Sequence, residues 1–175
     1  MNPFDAEKTK AVWDRVLATQ EKAASVNSEG IKNTCHTMPE HHPAADSIQA
    51  EEIRDLIQDE RTDACTYFAL AKCAGGQNGA CLQRIGKEEL CHAKRLSTVY
   101  YVLTGQRACV CPEPTKPVTC LTVSLREQYQ KEVDGVQQYL EFARRDSSYQ
   151  NLFYQLADEE QMHSQRILCM LQEML

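Results

Sequence analysis

Apolar residues recur at intervals of three and four over four long stretches between Ser47 and the C-terminus. That interval is the period of one face of an α-helix packed in a bundle. The first stretch runs to about Cys73, stops at Gly75-Gly76, and carries Ile53, Leu56, Tyr67 and Leu70 on its stripe. The second runs from about Ala80 to Thr104 and stops at Gly105, a residue suited to the left-handed turn that ends helices. Its stripe is Leu82, Ile85, Leu96, Val99 and Leu103. The third begins between Thr119 and Thr122, ends near Arg145, and carries Leu125, Tyr139 and Phe142. Asp146 and Ser147 offer N-caps for a fourth, striped by Phe153, Leu156, Ile167, Met170 and Met174.

Loop lengths then set a topology. About five residues join the first helix to the second, and the third to the fourth, so each pair predicts an antiparallel hairpin. The stretch QRACVCPEPTKPVTC between the hairpins holds three prolines and cannot be helical throughout. A helix of about 26 residues is ~39 Å long, and about fifteen extended residues reach ~50 Å. The link can therefore run the length of the bundle. The expectation is an all-α fold: a four-helix bundle over 47–175 with one long crossover between helices two and three. Before it, 5–25 reads as a helix with Val12, Trp13, Val16 and Leu17 on one side, and 26–46 as a polar arm. Cys35, His36, His41 and His42 lie in that arm, where a solvated loop is the simpler reading than a metal site.

The apolar stripes are interrupted at one level. In the second helix the interruption is Glu89 and His92; in the fourth it is Glu160 and His163. The first helix has Glu60 and Asp63 there, the third Gln128, Glu132 and Gly135. The chain is a duplicated hairpin: Glu60 and Tyr67 return as Glu132 and Tyr139, while Glu89, His92 and Arg95 return as Glu160, His163 and Arg166. Four carboxylates and two imidazoles thus converge inside a bundle, and unpaired carboxylates there would cost many kcal/mol. Two divalent cations cancel the four charges, and mixed oxygen and nitrogen ligation suits iron or manganese. Glu88, Glu159, Arg95 and Arg166 fall off the stripe, with the arginines placed to pair with outer carboxylates. Tyr67 and Tyr139 read either as core filler or as phenols bonded to carboxylates across the bundle.

Composition narrows the classes. A formal net charge of −6 gives no basic surface for nucleic acid. No apolar run approaches the ~18 residues of a membrane span, and the first residues lack a secretory signal, so a cytoplasmic location is expected. The nine cysteines are irregularly spaced and odd in number, which fits reduced thiols better than a disulfide framework. Cys109, Cys111 and Cys120 could hold a metal, but three such thiols in a loop are more often simply thiols.

The order Glu, Glu-x-x-His, Glu, Glu-x-x-His, one element per helix, resembles the rubrerythrin branch of the ferritin-like di-iron proteins. The resemblance covers 47–175. It implies a ferritin-like bundle holding two iron ions, with manganese or zinc as substitutes, on Glu60, Glu89, His92, Glu132, Glu160 and His163. It implies that Tyr67 and Tyr139 hydrogen-bond the ligands from behind. Rubrerythrins usually add a glutamate three residues after the third-helix ligand, where this chain has Gly135; Asp63, at the equivalent place in the first helix, is a further candidate ligand. The C-terminal rubredoxin domain of the family is missing. The expected activity is reduction of hydrogen peroxide by a homodimer, with electrons from an external donor such as a rubredoxin. Dioxygen activation, iron handling and a manganese catalase are the alternatives.

Overall fold

A computed structural model describes residues 48–174, and the reading of 5–25 as a helix and of 26–46 as an arm lies outside them. Four helices occupy the described residues: α1 (Ala50–Ala74), α2 (Gly76–Thr104), α3 (Leu121–Arg145) and α4 (Gln150–Met174). There is no strand among the described residues, and none of the helices is long and apolar enough to cross a membrane.

The α1–α2 turn is tighter than the expected five residues. Gly75 alone separates the helices; its φ of 62° is open to glycine, and its carbonyl already accepts from Gly79 N–H at 2.6 Å. Gln77, Asn78 and Gly79 are therefore drawn into the first turn of α2 despite the poor helix propensity of Asn78 and Gly79, with Gly79 lying against the Ala71 carbonyl of the neighbouring helix. Further along, a Cβ on Gly86 would stand 2.8 Å from the Phe68 ring. The two helices approach closely there because nothing projects from that position. At the other hairpin, Asp146 does not cap α4. Its Oδ1 accepts from Ser148 N–H at 2.8 Å, which shapes a turn before the helix starts at Gln150.

α1 packs on α2 and α3 on α4, and the hairpins meet through α1·α3 and α2·α4. Both cross-hairpin contacts are antiparallel. Tyr67 reaches Glu132 while Glu60 meets Tyr139, so numbering rises along α1 as it falls along α3. The chelated pair of Arg145 and Glu52, with bonds of 2.8 and 2.9 Å, joins the end of α3 to the start of α1. α2 therefore ends, and α3 begins, at opposite ends of the bundle, and the intervening chain spans its length. It is fastened to α1 on the way: Arg61 donates to the Val110 carbonyl at 2.8 Å, and Glu113 N–H donates to Thr62 at 3.0 Å.

The interior divides into two apolar clusters. One gathers Ile53, Leu56, Ile57, Leu96, Val99, Phe142, Phe153 and Leu156 with Tyr139. The other gathers Leu70, Leu82, Ile85, Leu125, Ile167 and Met170 with Tyr67. Between them runs one polar layer; of the last members of the stripes, Leu103 is exposed, whereas Met174 packs partly buried against the second cluster.

Candidate metal centre

The polar layer is made of Glu60, Glu89, His92, Glu132, Glu160 and His163, all buried. Each lies on its apolar stripe, so packing of the flanking aliphatic residues drives all six inward together. They form two overlapping groups, each of which could hold a metal ion: Glu60, Glu89, His92 and Glu160, and Glu89, Glu132, Glu160 and His163.

The distances show how the groups share residues. His92 Nδ1 stands 2.9 Å from Glu160 Oε1, 3.0 Å from Glu89 Oε2 and 3.3 Å from Glu60 Oε2. His163 Nδ1 stands 3.0 Å from Glu89 Oε1, 3.4 Å from Glu132 Oε2 and 3.5 Å from Glu160 Oε2. Glu89 and Glu160 thus turn one oxygen to each histidine, as bridging carboxylates do, and Glu60 and Glu132 sit at the two ends. Two donors each ~2.1 Å from one ion stand about 3.0–3.4 Å apart, so the separations are those of a coordination polyhedron.

The residues fit a metal on a second count. Glu89 Oε1, His92 Nδ1, Glu132 Oε2, Glu160 Oε1 and His163 Nδ1 are buried without a hydrogen-bond partner; the one other such side-chain atom among the described residues is Gln128 Oε1, a turn from Glu132. Buried polar atoms are otherwise nearly always paired, and all five of these orphans belong to the two overlapping groups, as atoms suited to ligate metal would.

The surrounding bonds fix what the ligands present. Tyr67 donates its hydroxyl to Glu132 Oε1 and Tyr139 to Glu60 Oε1, so each end carboxylate keeps its Oε2 for the cluster. His92 Nε2 lies 2.7 Å from Glu159 and His163 Nε2 lies 2.9 Å from Glu88. A carboxylate only accepts, so each Nε2 carries hydrogen and the neutral ring offers Nδ1 to a metal. Arg95 holds Glu159 at 2.7 Å, and Arg166 holds Glu88. Both straps cross between α2 and α4. The sequence placed these four residues off the stripe and matched the arginines to outer carboxylates; the cross-helix partners were beyond it, though the doubled glutamate and the repeated arginine were the signal.

Electrostatics show a site that draws positive charge. Burial, and then the nearby carboxylates, push Glu60 and Glu132 well above the ordinary carboxylate range. Burial works against charge on Glu89 and Glu160 as well, but His163 and His92 hold Glu89 below that range, and a hydrogen bond with Glu132, followed by the two histidines, does the same for Glu160. Burial also opposes charge on the imidazoles, yet the carboxylates around each raise both strongly. Tyr67 and Tyr139 are pushed up by burial and by the carboxylates they serve, which keeps them protonated donors.

Asp63 is not in either group. It lies on the wall of a cavity of about 230 Å³ that opens between α1 and α3, and it is paired there with Lys131. Burial pushes its carboxyl up to about 6, against the pull of Lys131. Gly135 lines the same cavity, where an added Cβ would stand 3.5 Å from Glu160 Cγ. Cys109, Cys111 and Cys120 are exposed thiols and join no metal-binding group. Cys35, His36, His41 and His42 lie outside the described residues. Comparison of the chain with protein-family models, with curated proteins and with solved structures found no match.

Proposed function

We propose that this chain is a rubrerythrin-like member of the ferritin-like carboxylate proteins, which binds two iron ions in the polar layer and reduces hydrogen peroxide with electrons from a separate donor. The observation that carries the reading is the gathering of five partnerless buried atoms into two overlapping groups of metal-ligand type. Two ferrous ions held there would supply two electrons and Lewis acidity.

The chain's own residues supply position, protons and access. Glu89 and Glu160 hold the two halves of the site at a fixed spacing, and the Glu88–Arg166 and Glu159–Arg95 straps lock the imidazoles. Reduction of peroxide to water consumes two protons. Asp63, with its carboxyl near 6, exchanges protons with solvent at the cavity wall. The cavity is lined by Asp59, Asp63, Lys131, Asp134 and Gln138, with Leu56 the one aliphatic side chain. Such walls suit a small polar oxidant and disfavour a hydrocarbon substrate, which supports peroxide reduction over hydroxylation.

The acidic mouth also favours a second reading, iron handling, because carboxylates at a cavity entrance gather cations. Anaerobic loading with Fe(II), elemental analysis and stopped-flow mixing with peroxide separate the two. The peroxidase reading expects close to two ions per chain, rapid oxidation, and sustained peroxide consumption once reduced rubredoxin is added. A loaded protein inert to peroxide would end that reading, and iron uptake far beyond two per chain would favour handling.

A further inference from the structure

The polar layer is closed on most sides. The apolar clusters seal it above and below. On the α2·α4 side, the two Arg–Glu–His straps close the surface. The α1·α3 side has the cavity, whose floor is Glu60, Glu89, Glu132 and Glu160 and whose outer wall includes Asp59, Asp63, Lys131 and Asp134. The acidic wall is not the whole observation. Glu89 Oε1, Glu132 Oε2 and Glu160 Oε1 belong to floor side chains only 2%, 4% and 7% exposed, and none has a hydrogen-bond partner.

Lys131 is the one cation in this lining. Its ammonium crosses from α3 to Asp63 on α1, while its side chain stays half exposed. It lines the same cavity as Glu132, and its half-exposed charge stands on the wall of the opening above the carboxylate floor. A lysine stem is long and flexible, and a single ion pair on an exposed face opens readily.

We propose that divalent cations enter and leave the cluster through this cavity, and that Lys131, pinned on Asp63, is the gate they displace. The inference rests on the metal-binding reading of the polar layer. A gate differs from a mere background charge in a measurable way. Removing a background positive charge speeds cation entry and slows exit, because the site becomes more negative. Removing a gate speeds both.

The test is stopped-flow binding of Co(II) to the full-length chain after chelator stripping, read by visible absorbance, with release measured on mixing with EDTA. Lys131→Gln is expected to raise entry and exit rates together by roughly three- to tenfold. Lys131→Arg, which keeps the charge and the pairing, should stay close to the parent. Lys87→Gln, an exposed lysine on α2 outside the cavity lining, should leave both rates unchanged. The proposal is overturned if Lys131→Gln alters neither rate, if it speeds entry while slowing exit, or if Lys87→Gln matches it. Failure of the parent chain to bind Co(II) at all would overturn the metal reading and this route with it, whereas tight binding with rates indifferent to Lys131 would overturn the route alone.

Discussion

Tyr67 of the first hairpin donates its hydroxyl to Glu132 of the second, and Tyr139 of the second returns the bond to Glu60 of the first. Each half of the duplicated chain thus supplies the hydrogen bond to the other half's end carboxylate. Each tyrosine also belongs to a different apolar cluster, so the pair closes the polar layer from both sides.

Tyr67→Phe and Tyr139→Phe should destabilise the protein by similar amounts, about 1–2 kcal/mol each, because each leaves a buried carboxylate oxygen without its donor. Urea unfolding of the stripped protein measures this. A large loss from one with none from the other would mean the two halves are not equivalent.

Glu132→Gln should abolish binding at one end of the cluster, whereas Glu88→Gln should retain metal at reduced affinity. Glu132 offers an oxygen to the site itself; Glu88 acts through His163, and loss of such a partner commonly costs about 10–100-fold. Elemental analysis with chelator competition ranks them. Equal effects of the two variants would contradict the assignment of Glu132 as an end ligand.

Metal uptake should release protons, and affinity should fall as pH drops. Glu60 and Glu132 hold their protons above the ordinary carboxylate range because they are buried, so an ion must displace them. Calorimetry of Co(II) binding in buffers of different ionisation enthalpy gives the proton count. Affinity independent of pH between 5 and 8 would contradict this.

The Glu52 carboxyl is shifted the other way from those of Glu60 and Glu132. Its hydrogen bonds to Arg145 hold it below the ordinary value, against a smaller effect of burial, so the clamp's stabilisation is present above about pH 4.5 and lost as pH falls through the lowered value. Glu52→Gln should cost about 0.5–1 kcal/mol at pH 7, a partly exposed pair being screened by solvent, and progressively less as the pH is lowered below 4.5. Denaturation of both proteins across that range tests this; a cost that does not diminish on acidification would assign the effect to packing.

Gly135→Glu should fold, since a Cβ there makes only ordinary contact with Glu160, and it relieves a mid-helix glycine worth about 1 kcal/mol. On the peroxidase reading, the added carboxylate beside the cluster speeds oxidation by peroxide in stopped flow. Normal metal content with an unchanged rate would count against that reading and move iron handling ahead of it.

The six buried cluster residues were legible in the sequence because helix periodicity ties side-chain direction to position. Glu60, Glu89, Glu132 and Glu160 interrupt apolar stripes that packing must bury, so their burial followed from the same spacing that predicts the helices. The two hairpins and the spanning crossover followed from loop length. Only the tertiary structure decided which partners meet across the bundle. The straps from Arg95 to Glu159 and from Arg166 to Glu88, and the crossed tyrosines, depend on the axial offset between α2 and α4 and between α1 and α3. That offset is set by how whole helices interdigitate, not by any local spacing. The same holds for Asp63. Its place in the repeat suggested a further ligand; the structure sets it on a cavity wall, paired with Lys131, and the single-residue turn at Gly75 was fixed by tertiary contact overriding the weak helix propensity of Gly76, Asn78 and Gly79.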